Sequence, residues 1–91
     1  MVNNVVHRGV LSINGEISHV ELRKDKRFNN LPLYHLYDVY TVNGKKESIV
    51  RGFGSYGNLD EAISVYGRVL GIEISEETRE YIKEKDQQIK L

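Results

Sequence analysis

Leu11-Ser12-Ile13-Asn14-Gly15-Glu16-Ile17-Ser18-His19-Val20 and, later in the chain, Tyr40-Thr41-Val42-Asn43-Gly44-Lys45-Lys46-Glu47-Ser48-Ile49 share one plan. In each, an Asn-Gly pair interrupts alternating apolar and polar residues. Asn-Gly is the dipeptide that best tolerates the positive φ angles of a type I′ turn, and such a turn between alternating segments marks a β-hairpin. The spacing predicts strands near Val5–Ile13, Glu16–Lys24, Leu33–Val42 and Glu47–Phe53. A two-residue turn at Asn14-Gly15 sets Arg8 opposite Glu21, a cross-strand ion pair. It also puts Leu11, Ile13, Val20 and Leu22 on one face, the candidate core, and Arg8, Val10, Ile17, His19 and Glu21 on the other.

Beyond the hairpins the period changes. Leu59, Ala62, Ile63, Tyr66 and Leu70 make a helical stripe, with Asn58 placed as N-cap, Glu61 three residues on, and Gly71 as the stop. Ser75 caps a second helix, about residues 76–88, whose first turn carries Glu76 and Glu77. Its apolar stripe is thin (Tyr81, Ile82, Ile89), so this helix is expected to dock loosely against an edge or the outer face and to fray from Lys83 onward. The fold class expected is α+β: a mainly antiparallel sheet of about four strands, then two helices, the first packed on one face. Strand order is not readable. The link Lys24–Pro32, charged and Asn-rich, is expected to be exposed.

Ninety-one residues make one small domain. The chain has no cysteine, so neither a disulfide framework nor a thiolate metal site is available. Neither a signal-peptide pattern nor an apolar run of about 18 residues is present, and a soluble cytoplasmic protein is the default expectation. Net charge is zero, but residues 1–51 carry eight Lys/Arg against five Asp/Glu and residues 52–91 the reverse. A mildly basic sheet half permits an anionic partner.

Strand three is the ambiguous one. Its first face carries Leu33, His35, Tyr37 and Val39, continued by Ser48 and Val50. The second carries Tyr34, Leu36, Asp38, Tyr40 and Val42, continued by Glu47, Ile49, Arg51 and Phe53. The second holds more charge and is therefore placed outward, yet it keeps large apolar side chains that something must cover.

No motif carries catalysis. Gly52-Phe53-Gly54-Ser55-Tyr56-Gly57 has the spacing of a phosphate-binding turn, but Asp60 and Glu61 open the following helix and would repel a phosphate. Gly71-Ile72 followed by Ser75, Thr78 and Ile82 is faintly helix-turn-helix-like, with Glu76, Glu77 and Glu80 where DNA would lie. His7, His19 and His35 lack metal-ligand spacing. Serine, histidine and carboxylate sets are assembled by the fold, so spacing alone does not address them. Ile49-Val50-Arg51-Gly52-Phe53 running into Glu61-Ala62 and Tyr66 resembles the last strand and helix of AP2-type DNA-binding domains. That resemblance covers under a quarter of the chain and implies DNA reading by basic and aromatic sheet residues. Only its β-then-α layout is carried forward.

The functional expectation is a non-enzymatic protein-binding module without cofactor or metal. It would be a small accessory or inhibitor of a larger intracellular protein, of the kind phages and other mobile elements encode. The candidate contacts are Tyr34, Leu36, Tyr40, Ile49 and Arg51, aromatic and arginine residues being frequent interface anchors. The partner is another protein or a second copy of the chain. The alternative is nucleic-acid binding through Arg23, Lys24, Lys26, Arg27, Lys45 and Lys46.

Overall fold

The computed structural model describes residues 4–26, 31–51 and 55–90, with the side chains of Ile13 and Lys26 outside that description. Four strands, β1 (Val5–Ile13), β2 (Glu16–Lys26), β3 (Pro32–Val42) and β4 (Lys45–Val50), precede two helices, α1 (Leu59–Leu70) and α2 (Glu76–Gln88). The sheet is an antiparallel meander in the order β1-β2-β3-β4. Both Asn-Gly pairs turn as expected: Asn14 and Asn43 have φ of 51°, Gly15 80° and Gly44 81°. Positive φ at both central positions matches the twist of the flanking strands, and it sets the register Arg8↔Glu21 and Val42↔Lys45. β1 bulges between Val5 and His7, so Val6 joins the core side.

Both helices lie on one face of the sheet. The Asn58 side chain accepts from the Glu61 N–H, the Ser75 hydroxyl accepts from the Thr78 N–H, and Gly71 ends α1 in the left-handed conformation. The core joins Val6, Val20, Leu22, Tyr34 and Leu36 of the sheet to Ala62, Ile63 and Tyr66 of α1 and to Ile82 and Ile89 of α2. Burying a side chain such as Leu22, Ile63 or Ile82 stabilises the fold by about 1.5–3 kcal/mol. Leu11 packs at the margin of this core. α1 packs tightly over Gly9: a Cβ there would stand 2.5 Å from Leu70 Cδ1 and 2.8 Å from the Tyr66 hydroxyl.

Two expectations are corrected. The face of β3 placed outward is the one the helices cover. Tyr34 and Leu36 are only 4% and 3% exposed. Of the charges counted against that face, Asp38 and Glu47 lie farther along the β3–β4 hairpin, and Arg51 lies beside Leu36 at the sheet's outer edge. One strand thus passes through two environments that a single charge count averages.

The second correction concerns α2, which is a docked helix rather than a loose one. Ile82 is fully buried, and the helix runs unbroken to Gln88 before Ile89 turns back into the core. Two polar clasps finish the docking. The Tyr34 hydroxyl donates to Asp86 Oδ1 at 2.7 Å, and Lys24 Nζ donates to the main-chain carbonyls of Asp86 and Ile89 at 3.0 and 3.1 Å. A cation on the last carbonyls of a helix also complements its dipole. No helix among the described residues is long and apolar enough to cross a membrane.

Candidate functional site

The helices cover only part of the sheet, and the far end of the β3–β4 hairpin projects past them. There the helix-side face carries Tyr40, 42% exposed, and Ile49, 57% exposed, with Val42 beside them. The opposite face carries Val50 and, on the neighbouring hairpin, Val10 and Ile17, the last 70% exposed. Every described residue of β4 is exposed. Arg51 follows β4 and is pinned by Asp38, its Nη1 standing 2.8 and 3.0 Å from the two carboxylate oxygens. Of the five expected contacts, the structure therefore gathers Tyr40, Ile49 and Arg51 on one exposed margin and seals Tyr34 and Leu36 in the core.

The two hairpins also part company. β2 and β3 pair from Lys26↔Pro32 to His19↔Val39 and no further, so the backbone of Ile17 and of Thr41 faces a fork. A cleft of about 850 Å³ opens in it, lined in part by Ile17, His19, Tyr40 and Lys46.

The basic residues are not gathered. Arg23 lies on the face away from the helices, where its guanidinium stacks on Tyr37 at 4.1 Å and pairs with Glu21 at 2.7 Å. Lys24 points to the other face and is used by α2, as above. Lys45 and Lys46 are exposed at the Asn43-Gly44 turn, at the opposite end of the sheet. The Lys26 side chain and Arg27 lie outside the described residues, as do Gly52, Phe53 and Gly54 of the glycine-rich turn. The expected phosphate-binding surface is thus divided between two faces and two ends.

The face away from the helices holds a polar network that spacing did not reveal. Glu21, only 2% exposed, is clamped by Arg8 at 2.6 Å and Arg23 at 2.7 Å. Burial alone pushes its carboxyl up, and the hydrogen bonds and charges of Arg23 and Arg8 more than reverse this, holding it below the usual glutamate range. Alongside, Asp25 Oδ2 meets His35 Nδ1 at 2.8 Å, and His35 Nε2 meets the Ser55 hydroxyl at 2.8 Å. Asn4 and Tyr37 also donate to Asp25, at 2.9 and 3.0 Å.

Carboxylate, imidazole and hydroxyl here have the connectivity of a nucleophile with its base and orienting group. The imidazole, however, is 3% exposed and engaged through both ring nitrogens, so a leaving group would have to reach Nε2 past Ser55 itself. The same geometry meets the ordinary demand that a buried histidine satisfy both nitrogens. It also clasps the segment leading into α1 onto β3, where Tyr34 and Tyr56 exchange backbone hydrogen bonds of 2.8 and 2.9 Å. We read the three residues as that clasp. Separations of 10 and 20 residues follow no motif, and the three side chains meet only in the folded chain.

His7 is structural as well. His7 Nδ1 lies 2.6 Å from the Tyr66 hydroxyl, and burial lowers its pKa, favouring a neutral ring that accepts the phenol proton. Among the described residues no group of three or more His, Asp or Glu could hold a metal ion. Tyr40 and Ile49, with Arg51 beside them, form one of several exposed apolar patches, the others lying at Val10 and Ile17, at Leu31, at Ile72 and at Tyr81. The chain matches no protein-family model, no curated protein and no solved structure.

Proposed function

We propose that this chain is a protein-binding module that recognises its partner through the projecting part of its sheet. Tyr40 and Ile49 supply the apolar contact and Arg51 a pre-positioned guanidinium. One observation carries this: the helices leave a strip of sheet whose apolar residues no other part of the described chain covers. A tyrosine and an arginine beside exposed aliphatic residues have the composition of an interface core. An accessory or inhibitory role toward a larger protein fits a domain of this small size.

Affinity capture with and without nuclease tests the proposal. Tyr40→Ala combined with Ile49→Ala should abolish a nuclease-resistant stoichiometric partner while leaving the circular-dichroism spectrum unchanged. Lys45→Ala combined with Lys46→Ala should retain it. Retention should also persist from low to moderate salt, where phosphate-driven binding collapses. The reverse pattern, loss on neutralising the lysines and indifference to the apolar pair, overturns the proposal in favour of nucleic acid.

A further inference from the structure

The proposed surface ends at a free strand edge, and we infer that a second copy of the chain can cover it, pairing β4 to β4 about a two-fold axis through Ile49. This rests on the protein-binding proposal and names the occupant.

The two edges of the sheet differ. β1 is broken by its bulge between Val5 and His7. β4 pairs with β3 without interruption from Val42↔Lys45 to Tyr37↔Val50, and it carries neither a proline nor a bulge. Bulges, prolines and charges are the usual protections of an edge strand. Here only charges serve, Lys45, Lys46 and Glu47, all in the half of the strand nearer the turn.

The hydrogen-bonding sense of β4 is fixed by one contact. The Arg51 N–H donates to the Leu36 carbonyl at 2.7 Å. In an antiparallel ladder the inward groups alternate, so Arg51, Ile49 and Glu47 address β3 while Lys46, Ser48 and Val50 direct N–H and C=O at the open edge. Self-pairing must match outward groups with outward groups, which places the two-fold axis on a residue.

Side chains then select the residue. An axis through Lys46 or Glu47 sets a charge against itself. An axis through Ser48 sets Lys45 against Arg51 of the second copy and Ile49 against a glutamate. An axis through Ile49 pairs Ser48 with Val50 of the second copy, twice, through both backbone hydrogen bonds. It brings the two Ile49 side chains together at a non-hydrogen-bonded position, the closer of the two spacings. It also sets Glu47 opposite Arg51 of the second copy, again twice. Glu47 makes no ion pair among the described residues, and Arg51 spends only Nη1 on Asp38. The patch is thus self-complementary, as an isologous interface requires. The product is one continuous eight-stranded sheet, both helical layers on the same side, with two Tyr40 and two Ile49 flooring the valley between them.

Sedimentation equilibrium over a concentration series tests this. The wild type should approach twice the 10.5 kDa chain mass. Ser48→Pro removes an N–H that points at the open edge, so the variant should keep its fold and sediment as a single chain. Glu47→Arg and Arg51→Glu should each raise the dimer dissociation constant at least about tenfold. An equimolar mixture of these two variants should dimerise again, because every Arg then faces a Glu. A wild type of single-chain mass up to about 1 mM, or a dimer that survives Ser48→Pro and both reversals, overturns the inference. In either case the protein-binding proposal stands if Tyr40→Ala with Ile49→Ala still loses the captured partner, and falls if it does not.

Discussion

Truncating Ile82 to alanine asks whether α2 belongs to the cooperative fold. Only Ile82 and Ile89 carry this helix into the core, and Ile82 is fully buried, so its docking is concentrated on very few side chains. Removing the side chain beyond Cβ from a sealed site costs about 2–5 kcal/mol. We expect a loss of about 3 kcal/mol, between the extremes, because a two-anchor helix can settle partly into the space left behind. A domain of 91 residues has about 5–14 kcal/mol to lose. The melting temperature should therefore fall by roughly 12–24 °C. Urea unfolding followed by circular dichroism measures this, with Glu84→Ala on the exposed side of the same helix changing stability by less than about 0.5 kcal/mol. If Ile82→Ala costs under about 1 kcal/mol, the helix is not held as described and its contacts with Tyr34 and Lys24 contribute little.

Acid should destabilise the fold in two stages. Folded His7 and Glu21 both have lowered pKa values, so the unfolded chain takes up each proton first and stability rises with pH. The His7 contribution is complete above about pH 6.5 and is lost as pH falls below it; that of Glu21 is complete above about pH 4.3 and is lost toward its depressed value. Unfolding midpoints against pH measure both, and His7→Gln should remove only the upper stage. Gly9→Ala should destabilise by about 1–3 kcal/mol, since the new methyl must displace Leu70 and a phenol already committed to His7. A thermal melt checks it, and a neutral outcome would mean that α1 sits farther from β1 than described.

Local chemistry explains which parts of this fold were legible in the chain. Both turns, α1 and both N-caps follow from residues within a few positions of each other, and the structure bears them out. Strand order, open in the sequence, resolves to a simple meander. Alternation alone misplaces the face of β3, because Asp38, Glu47 and Arg51 count toward the same set as Tyr34 and Leu36, although the first two lie beyond the helices and Arg51 lies out at the sheet edge. The anchoring of α2 was missed for a related reason. A narrow stripe reads as weak, but Lys24 and Tyr34 reach it from the sheet, and no pattern within residues 76–88 announces them. Arg23 and Lys24, adjacent in sequence, serve opposite faces, which removes two members of the expected basic patch. Tyr40, Ile49 and Arg51 were legible because alternation alone groups them. The Asp25, His35 and Ser55 clasp was not, since residues far apart in sequence meet there only through the tertiary fold.

Residue-resolved amide exchange along β4 at two protein concentrations addresses the uncovered sheet margin most directly. The Ile49 and Arg51 amides, bonded to β3, should exchange slowly at both. The Ser48 and Val50 amides should exchange fast in dilute solution and slow markedly when concentrated, as the edge acquires a partner strand. Fast exchange of Ser48 and Val50 at every concentration would contradict self-pairing, and slow exchange of both in a dilute monomer would contradict an open edge altogether.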